Sequence, residues 1–292
     1  MSSARQAAPR SQGRRHRSVL ASLLVAAWLA TTATGVGAQS TSPDDGSAET
    51  LPSEASPTVA IPLTSLGDLS SLEATVTLTA AGSLEGEEMA GDLAVQLVAD
   101  EQQQYRIDIT GELLGPIAAQ VGGKLVKLFR PKQVSVYVVE EGNYVVVSGL
   151  TDLCVKTEDT ATTEALSQLS PRSLMAILTD SDVANGSFAG AEELDGVAVD
   201  HYIIDGDTFL AAAQASTDPT VGAFGQSLRG ASDSDIYIDT ETGYPVRYEG
   251  AFSGEYEPVG LDGDFSVRID LTKIGTDSTV VLPNACDTPI SM

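Results

Sequence analysis

The feature that most constrains this chain is a two-residue alternation of apolar and polar side chains that recurs from residue 72 to residue 271. Its clearest stretch places Phe265, Val267, Ile269 and Leu271 in alternation with Ser266, Arg268, Asp270 and Thr272. A period of two is typical of β-strands with one buried face and one wet face. The pattern predicts about ten to eleven strands, and short turns at 140–143 and 240–243 predict antiparallel neighbours.

The predicted strands far outweigh the predicted helices. The strands are expected at 72–79, 93–98, 105–110, 134–139, 144–147, 186–194, 197–204, 235–239, 244–253, 265–272 and 279–282. Helical signal is confined to 113–129, to 162–169 with 172–178, and to 208–214 with 221–228. A long antiparallel sheet with one apolar face must close into a barrel, pair with a second sheet, or curve around its helices.

The first 60 residues differ in composition from the rest. Residues 1–38 have an arginine-rich start, an apolar run of about a dozen residues and Val36-Gly37-Ala38, a pattern typical of a signal peptide that is cleaved after Ala38. Residues 39–60 are rich in Ser, Thr, Pro and acids, so we expect a disordered linker. Residues 61–292 show no further break and are expected to form one domain. Gln39 and Ser40 stand where a lipoprotein would carry its lipidated cysteine, so the chain is expected to be exported, extracellular or periplasmic, and soluble.

The charge balance excludes one class of partner. The chain has 16 Lys and Arg against 41 Asp and Glu, a net charge of −25. Five of the arginines precede residue 38, so the exported part would carry 11 basic residues and a net charge of −30. Nucleic acid is not an expected partner, because its binding requires basic residues that neutralise phosphates.

Two segments resemble a known family. Residues 194–205 (LDGVAVDHYIID) are similar to the L-x-G strand motif of the LolA/LppX/LprG-type envelope carriers, and residues 235–247 (DIYIDTETGYPVR) are similar to their D-x-W/Y-I-D-x-x-T-G-L-P-x-R hairpin. Tyr244 stands where that hairpin usually has Leu. The resemblance covers about 61–285 and implies an α+β fold, a single curved antiparallel half-barrel wrapped around a few short helices, with a hydrophobic cavity that carries a lipid or an acyl chain.

The resemblance, together with the alternation, predicts which apolar residues line that cavity. They are Ile107, Val136, Val138, Val199, Ile203, Ile236, Ile238, Val246, Phe265, Val267 and Ile269.

A basic amphipathic segment is the one concentration of positive charge in the acidic part of the chain. Lys124, Lys127, Arg130 and Lys132 lie within nine positions beside Leu125, Leu128 and Phe129. Such a segment could dock at an anionic membrane surface and act as the lid of a lipid carrier. The alternative is an ordinary helix packed on the sheet with a solvated basic side.

The remaining motifs favour structure over chemistry. Cys154 and Cys286 are the only cysteines, and in an exported chain they are expected to form a disulfide that fixes the C-terminal tail to the sheet. His201 is the only histidine after residue 38. The chain has no G-x-S-x-G nucleophile motif with which this histidine could act as a base. The Asp-rich turns at 205–207, 233–235 and 262–264 match no EF-hand loop and are expected to be surface turns. We therefore expect no catalytic role, no cofactor and no metal.

The function that these patterns favour is an exported lipid-binding carrier with a lipid or acylated ligand as its partner. The alternative is an extracytoplasmic scaffold that uses the same fold with a filled core and binds a protein. The sequence does not identify the ligand, the membranes or the oligomeric state.

Overall fold

The computed structural model describes residues 58–64, 66, 69, 71–84, 87–102, 104–116, 131–149, 152–157, 185–216, 222, 225–256 and 261–291. Fourteen strands lie in these ranges. They are β1 (Thr58–Ala60), β2 (Leu72–Leu84), β3 (Glu87–Ala99), β4 (Tyr105–Thr110), β5 (Gln133–Val139), β6 (Gly142–Ser148), β7 (Leu153–Thr157), β8 (Asn185–Leu194), β9 (Val197–Ile204), β10 (Leu228–Ala231), β11 (Ser234–Asp239), β12 (Pro245–Tyr256), β13 (Leu261–Ile274) and β14 (Ile290–Ser291).

All described strands belong to one sheet. Its order is β1-β8-β9-β11-β12-β13-β2-β3-β4-β5-β6-β7-β14, and β10 pairs with β12 beside β11. Every pairing is antiparallel except that of β14 with β7. The early meander β2–β7 and the later strands meet where β13 pairs with β2 along 13 residue pairs. The predicted α+β class and the single curved antiparallel sheet are confirmed, with more strands than the ten to eleven expected.

The longest helix that the structure describes packs on this sheet, and residues 114–116 and 225–227 are also helical, inside the helices predicted at 113–129 and 221–228. Helix α1 (Gly206–Ala215) matches the helix predicted at 208–214. It begins at Asp205, whose carboxylate accepts a hydrogen bond from the Thr208 backbone N–H, a typical N-cap interaction. Phe209 is fully buried and its ring lies 5.3 Å from that of Phe252 on β12. The predicted helices at 162–169 and 172–178, and all of 113–129 beyond residue 116, lie outside the described residues.

The two faces of the sheet carry different cores. The inner face, which carries Leu97, Ile107 and Ile236, forms the large hydrophobic cluster. The outer face of β3, β5 and β6 carries a smaller cluster that is completed by Val280 and Leu282 from the C-terminal tail.

The C-terminal tail is fixed to the outer face by a disulfide. Cys154 on β7 and Cys286, in a short 3₁₀ helix (Asn284–Cys286), have Cα atoms 5.2 Å apart and are joined, as the sequence predicted. The predicted strand at 279–282 is wrong, because this segment crosses the outer face without pairing to a strand. Its apolar side chains serve as cover for β5 and β6 instead.

Four strands were not expected from the sequence, and they are the short ones: β1, β7, β10 and β14. Strand β1 occupies the last three residues of the linker expected at 39–60, and β10 occupies the end of the helix expected at 221–228.

Candidate functional site

A continuous row of apolar side chains crosses the inner face from one edge of the sheet to the other. Pairing register places its members side by side on eleven strands, and we call them the central row. The central row is Phe188, Tyr202, Ile236, Tyr248, Ile269, Val76, Val95, Ile109, Val134, Val147 and Leu153. Most of its members are buried, and only the two terminal residues, Phe188 and Leu153, are exposed.

On one side of the central row, the inner face is closed. The next row on that side includes Leu97 on β3, Ile107 on β4 and Val136 on β5, which are 0 to 2% exposed. Side chains with so little accessible surface contact no open space. We call this region the closed half of the inner face, and it is a packed core.

On the other side of the central row, the inner face stays partly open. Leu78 on β2, Met89 on β3, and Phe265 and Val267 on β13 are only partly buried although they pack against the main cluster. They lie toward the ends of the long hairpins β2–β3 and β12–β13. We call this region the open half of the inner face.

A row of glycines ends the open half. Gly254, Gly263 and Gly82 are register partners on three adjacent strands. A Cβ at Gly263 would lie 2.3 Å from the backbone carbonyl oxygen of Ala81, and a Cβ at Gly82 would lie 2.2 Å from that of Asp262. On these three strands the neighbouring backbone therefore approaches too closely for any side chain, and the row continues on β3 with Met89, the partner of Gly82.

A pocket of about 510 Å³ lies on β2, β10, β12 and β13 beside the open half. Its lining combines Phe252 and Phe265 from the inner face with small polar residues of the outer face, among them Thr79 and Ser266. The volume falls in the range of about 300 to 1,000 Å³ that is typical of small-ligand sites. Six of its lining residues alternate onto the outer face, so this pocket does not by itself show open space on the inner face; they are Thr79, Ala81, Ala251, Ser253, Asp264 and Ser266.

The predicted cavity-lining residues fall into four groups. Ile107, Val136, Ile236, Ile238 and Ile269 lie on the inner face and are buried. Val138, Phe265 and Val267 lie on the inner face and are partly buried. Val246 is half-buried, beside the irregularity where β11 and β12 change register. Val199 and Ile203 lie on the outer face, because β9 pairs with β11 so that Tyr202 joins Ile236 on the inner face.

The predicted lid lies almost entirely outside the described residues. Lys124, Leu125, Lys127, Leu128, Phe129 and Arg130 are not described. Lys132 precedes β5 and is exposed, and its backbone N–H donates to the Ser148 carbonyl oxygen at 2.8 Å.

His201 is held on the outer face between two acids. Its Nε2 lies 2.7 Å from the Asp235 carboxylate and its Nδ1 lies 3.3 Å from that of Glu192. The ring stacks on Tyr237 at a centroid distance of 4.5 Å. Both ring nitrogens are thus engaged with carboxylates on neighbouring strands, an arrangement that joins β8, β9 and β11 and presents no nucleophile to the imidazole.

A second polar cluster on the outer face joins β12 to β13. The Arg247 Nε lies 2.6 Å from the Asp270 carboxylate, and its Nη2 lies 3.0 Å from that of Asp195 in the β8–β9 turn. Arg268 Nε contacts the same Asp270 at 2.7 Å. Burial acts to raise the pKa of Asp270, but the hydrogen bonds and charges of the two arginines outweigh it and hold that pKa below its usual value.

In the described part of the chain, no three His, Cys, Asp or Glu side chains come together where they could hold a metal ion. No helix within the described ranges has the length and apolar character needed to cross a bilayer.

Comparisons with known proteins give likenesses only among solved structures. No protein-family model matches the chain, and no curated protein matches it. LprF from Mycobacterium bovis is 14% identical with a TM-score of 0.39, and the match covers 75% of this chain and 91% of LprF. A putative outer membrane lipoprotein-sorting protein domain from Vibrio parahaemolyticus is 9% identical with a TM-score of 0.23, over 76% of this chain and 90% of that domain. A LolA superfamily protein from Nitrosomonas europaea is 10% identical with a TM-score of 0.20, over 73% of this chain and 88% of that protein.

The chain is similar to proteins of the LolA and Lpr type. This is the group that the motifs at 194–205 and 235–247 predicted. The fold itself rests on the strand order and register described above, because identities and TM-scores this low add nothing to it.

Several residues of the inner face were missed in the sequence. Leu78 and Met89 belong to the open half, and Phe188 and Leu153 end the central row. The alternation within β2 already placed Leu78 on the same face as Val76, so that residue could have been found. Phe188 gave no signal, because its neighbours in β8 are small or acidic and do not alternate.

Proposed function

We propose that this protein is an exported, non-enzymatic carrier that holds a lipid or an acyl chain against the open half of its inner face. The observation that supports the proposal most is the contrast within one face. Leu78, Phe265 and Val267 are only partly buried on one side of the central row, whereas Leu97, Ile107 and Val136 are 0 to 2% exposed on the other side. Exposed apolar area continuous with a core is costly in water and is typical of a surface that binds an apolar partner.

The proposal includes the expectations for the N-terminal part of the chain. Residues 1–38 would direct export, residues 39–57 would tether the domain, and the sheet that begins with β1 would carry the ligand. The basic segment 124–132 would bring the carrier to an anionic membrane surface. These parts of the proposal rest on sequence patterns.

A second candidate function follows from the closed half. Because Leu97, Ile107 and Val136 are covered almost completely, the same fold could serve as a scaffold whose outer face binds a protein. The two candidates differ in one respect: only the carrier brings an apolar ligand into contact with Phe265.

A tryptophan reporter separates the two. Trp28 is the only tryptophan, so the substitution Phe265→Trp in a Trp28→Phe background places a single reporter in the open half. Gln96→Trp in the same background is the control, because Gln96 is exposed, lies on the outer face of β3 and does not line the pocket. The measurement is the quenching of tryptophan emission by vesicles or fatty acids with bromine atoms on the acyl chain.

The carrier predicts saturable quenching at position 265 and little quenching at position 96. Organic extraction of the purified wild-type protein should also recover lipid. Equal quenching at both positions together with no extracted lipid would refute the carrier and leave the scaffold.

A further inference from the structure

Of the six large apolar side chains that are exposed in the described residues, two are Val197 and Val281, and the other four lie at the two edges of the sheet. At the β1–β8 edge they are Val59, 41% exposed, and Phe188, 45% exposed; at the β7–β14 edge they are Leu153, 36%, and Ile290, 49%. Phe188 and Leu153 are also the two ends of the central row, so both face inward. The inner face is thus bordered on each side by an apolar rim rather than by the charged residues that usually protect sheet edges.

The two edges differ in how firmly they are held. Leu153 is the neighbour of Cys154, and Ile290 follows Cys286 by four residues, so the disulfide fixes the β7–β14 edge covalently. Strand β1 has only three residues and pairs with β8 through three residue pairs. A strand this short contributes little pairing energy, and local opening favours such weakly held elements.

Opening of the β1–β8 edge would expose a direct path to the core. The Phe188 ring packs edge-on against Tyr202 at a centroid distance of 5.4 Å, and Tyr202 is buried in the main cluster. Ile61 directly follows β1 and is also buried in that cluster. Displacement of β1 would therefore move Ile61 out of the core next to Gly186, which lies two residues before Phe188 on β8.

We propose that the β1–β8 edge is the portal through which the hydrocarbon chain of the ligand reaches the inner face. Val59 and Phe188 form its apolar rim, and detachment of β1 from β8 opens it, while the disulfide keeps the opposite edge closed. This proposal rests on the proposed function, because a portal needs a ligand that enters.

The test is a cross-link across the portal. Ala60 and Asn185 are register partners on β1 and β8 and both are exposed, so Ala60→Cys with Asn185→Cys can form a disulfide on the outer surface without touching the ligand. Thr75→Cys with Gln96→Cys is the control, since these outer-face partners join β2 to β3 in the middle of the sheet and do not line the pocket. Peptide mapping of each oxidised variant confirms that the native Cys154–Cys286 pair is retained.

The readout is stopped-flow uptake of cis-parinaric acid, a fatty acid whose fluorescence rises in apolar surroundings. The portal predicts that the cross-link at 60 and 185 slows uptake by about tenfold or more, as expected when binding must wait for a blocked conformational step. The control cross-link should leave the rate within about twofold of wild type. Equal rates in both cross-linked variants would overturn the portal while wild-type uptake upholds the carrier. No uptake by the wild-type protein would overturn the carrier and the portal together.

A second pair of variants tests the rim separately. Phe188→Asp should slow uptake and change the dissociation constant little, because the residue is contacted in passage. Val281→Asp changes an apolar residue that is 68% exposed on the C-terminal tail and should change neither quantity. A slower rate in both variants, or in neither, would count against a rim at Phe188.

Discussion

Removal of the Cys154–Cys286 disulfide should destabilise this protein more than any single surface substitution. The bridge joins residues 132 apart in the chain. For a loop of that length, the chain-entropy model gives a stabilisation of about 5 kcal/mol at 25 °C, and measured values often fall below the model. We therefore expect Cys154→Ser with Cys286→Ser to lower the free energy of unfolding by about 3 to 5 kcal/mol. The packing of the tail adds to this loss, because Val280 and Leu282 cover the outer face of β5 and β6 only while the tail is held.

The assay is guanidinium-induced unfolding followed by far-UV circular dichroism, with the free energy extrapolated to water. Val281→Ser is the matched control, because it makes the same tail more polar at an exposed position and should change stability by less than about 0.5 kcal/mol. Hydrogen exchange should show that β6 and β7 lose protection before β12 and β13. If the double variant loses less than about 1 kcal/mol, or if exchange rises uniformly across the sheet, the tail is not the support that the structure implies.

Two further predictions concern the row of glycines and the outer-face charges. Gly263→Ala should lower the free energy of unfolding by about 2 kcal/mol or more, because its Cβ would lie 2.3 Å from the backbone carbonyl oxygen of Ala81. Gly115→Ala is the control and should lower it far less in the same assay, because nothing lies within 4 Å of its Cβ. The pKa of Asp270 is lowered in the folded state, so its stabilisation is fully present at neutral pH and is lost as the pH falls through that lowered pKa, below about pH 4. Asp270→Asn should therefore flatten the dependence of unfolding free energy on pH in that acid range, and an unchanged slope would show that the arginine contacts do not stabilise the ionised carboxylate.

The sequence predicted the faces of those strands whose outer side meets water. In β4 and β13, apolar and polar residues alternate, and the structure places the apolar set on the inner face. In β9, both sides are apolar: Val199 and Ile203 on one, Tyr202 and Ile204 on the other. Periodicity cannot choose between two apolar sides, and only the pairing with β11 does so. For this reason Val199 and Ile203 were expected in the cavity and lie on the outer face.

The strands that were not predicted from the sequence are short, and they pair with strands that lie far away in the chain. Strands β1, β10 and β14 have three, four and two residues, too few for an alternating pattern to be recognised. They exist because a longer neighbour supplies the hydrogen bonds along its free edge. The apolar residues of 279–282 also depend on contacts far away in the chain, because they cover the outer face of β5 and β6 and do not form a strand.

The division of the inner face explains how one sheet can be stable and still leave apolar surface for a ligand. Burial of apolar area is worth about 25 cal/mol per Å², so a half-barrel whose whole inner face stayed open would lack the energy that folds it. Here the closed half, which includes Leu97 on β3, Ile107 on β4 and Val136 on β5, supplies a core, and the disulfide and tail cover the outer side of β5 and β6. The long hairpins β2–β3 and β12–β13 are anchored in that core through the central row, which allows their far ends to keep Leu78, Phe265 and Val267 partly exposed. A substitution that weakens the closed half, such as Val136→Ala, should therefore lower the free energy of unfolding without changing ligand affinity. Val267→Ala in the open half should lower ligand affinity and change the free energy of unfolding little.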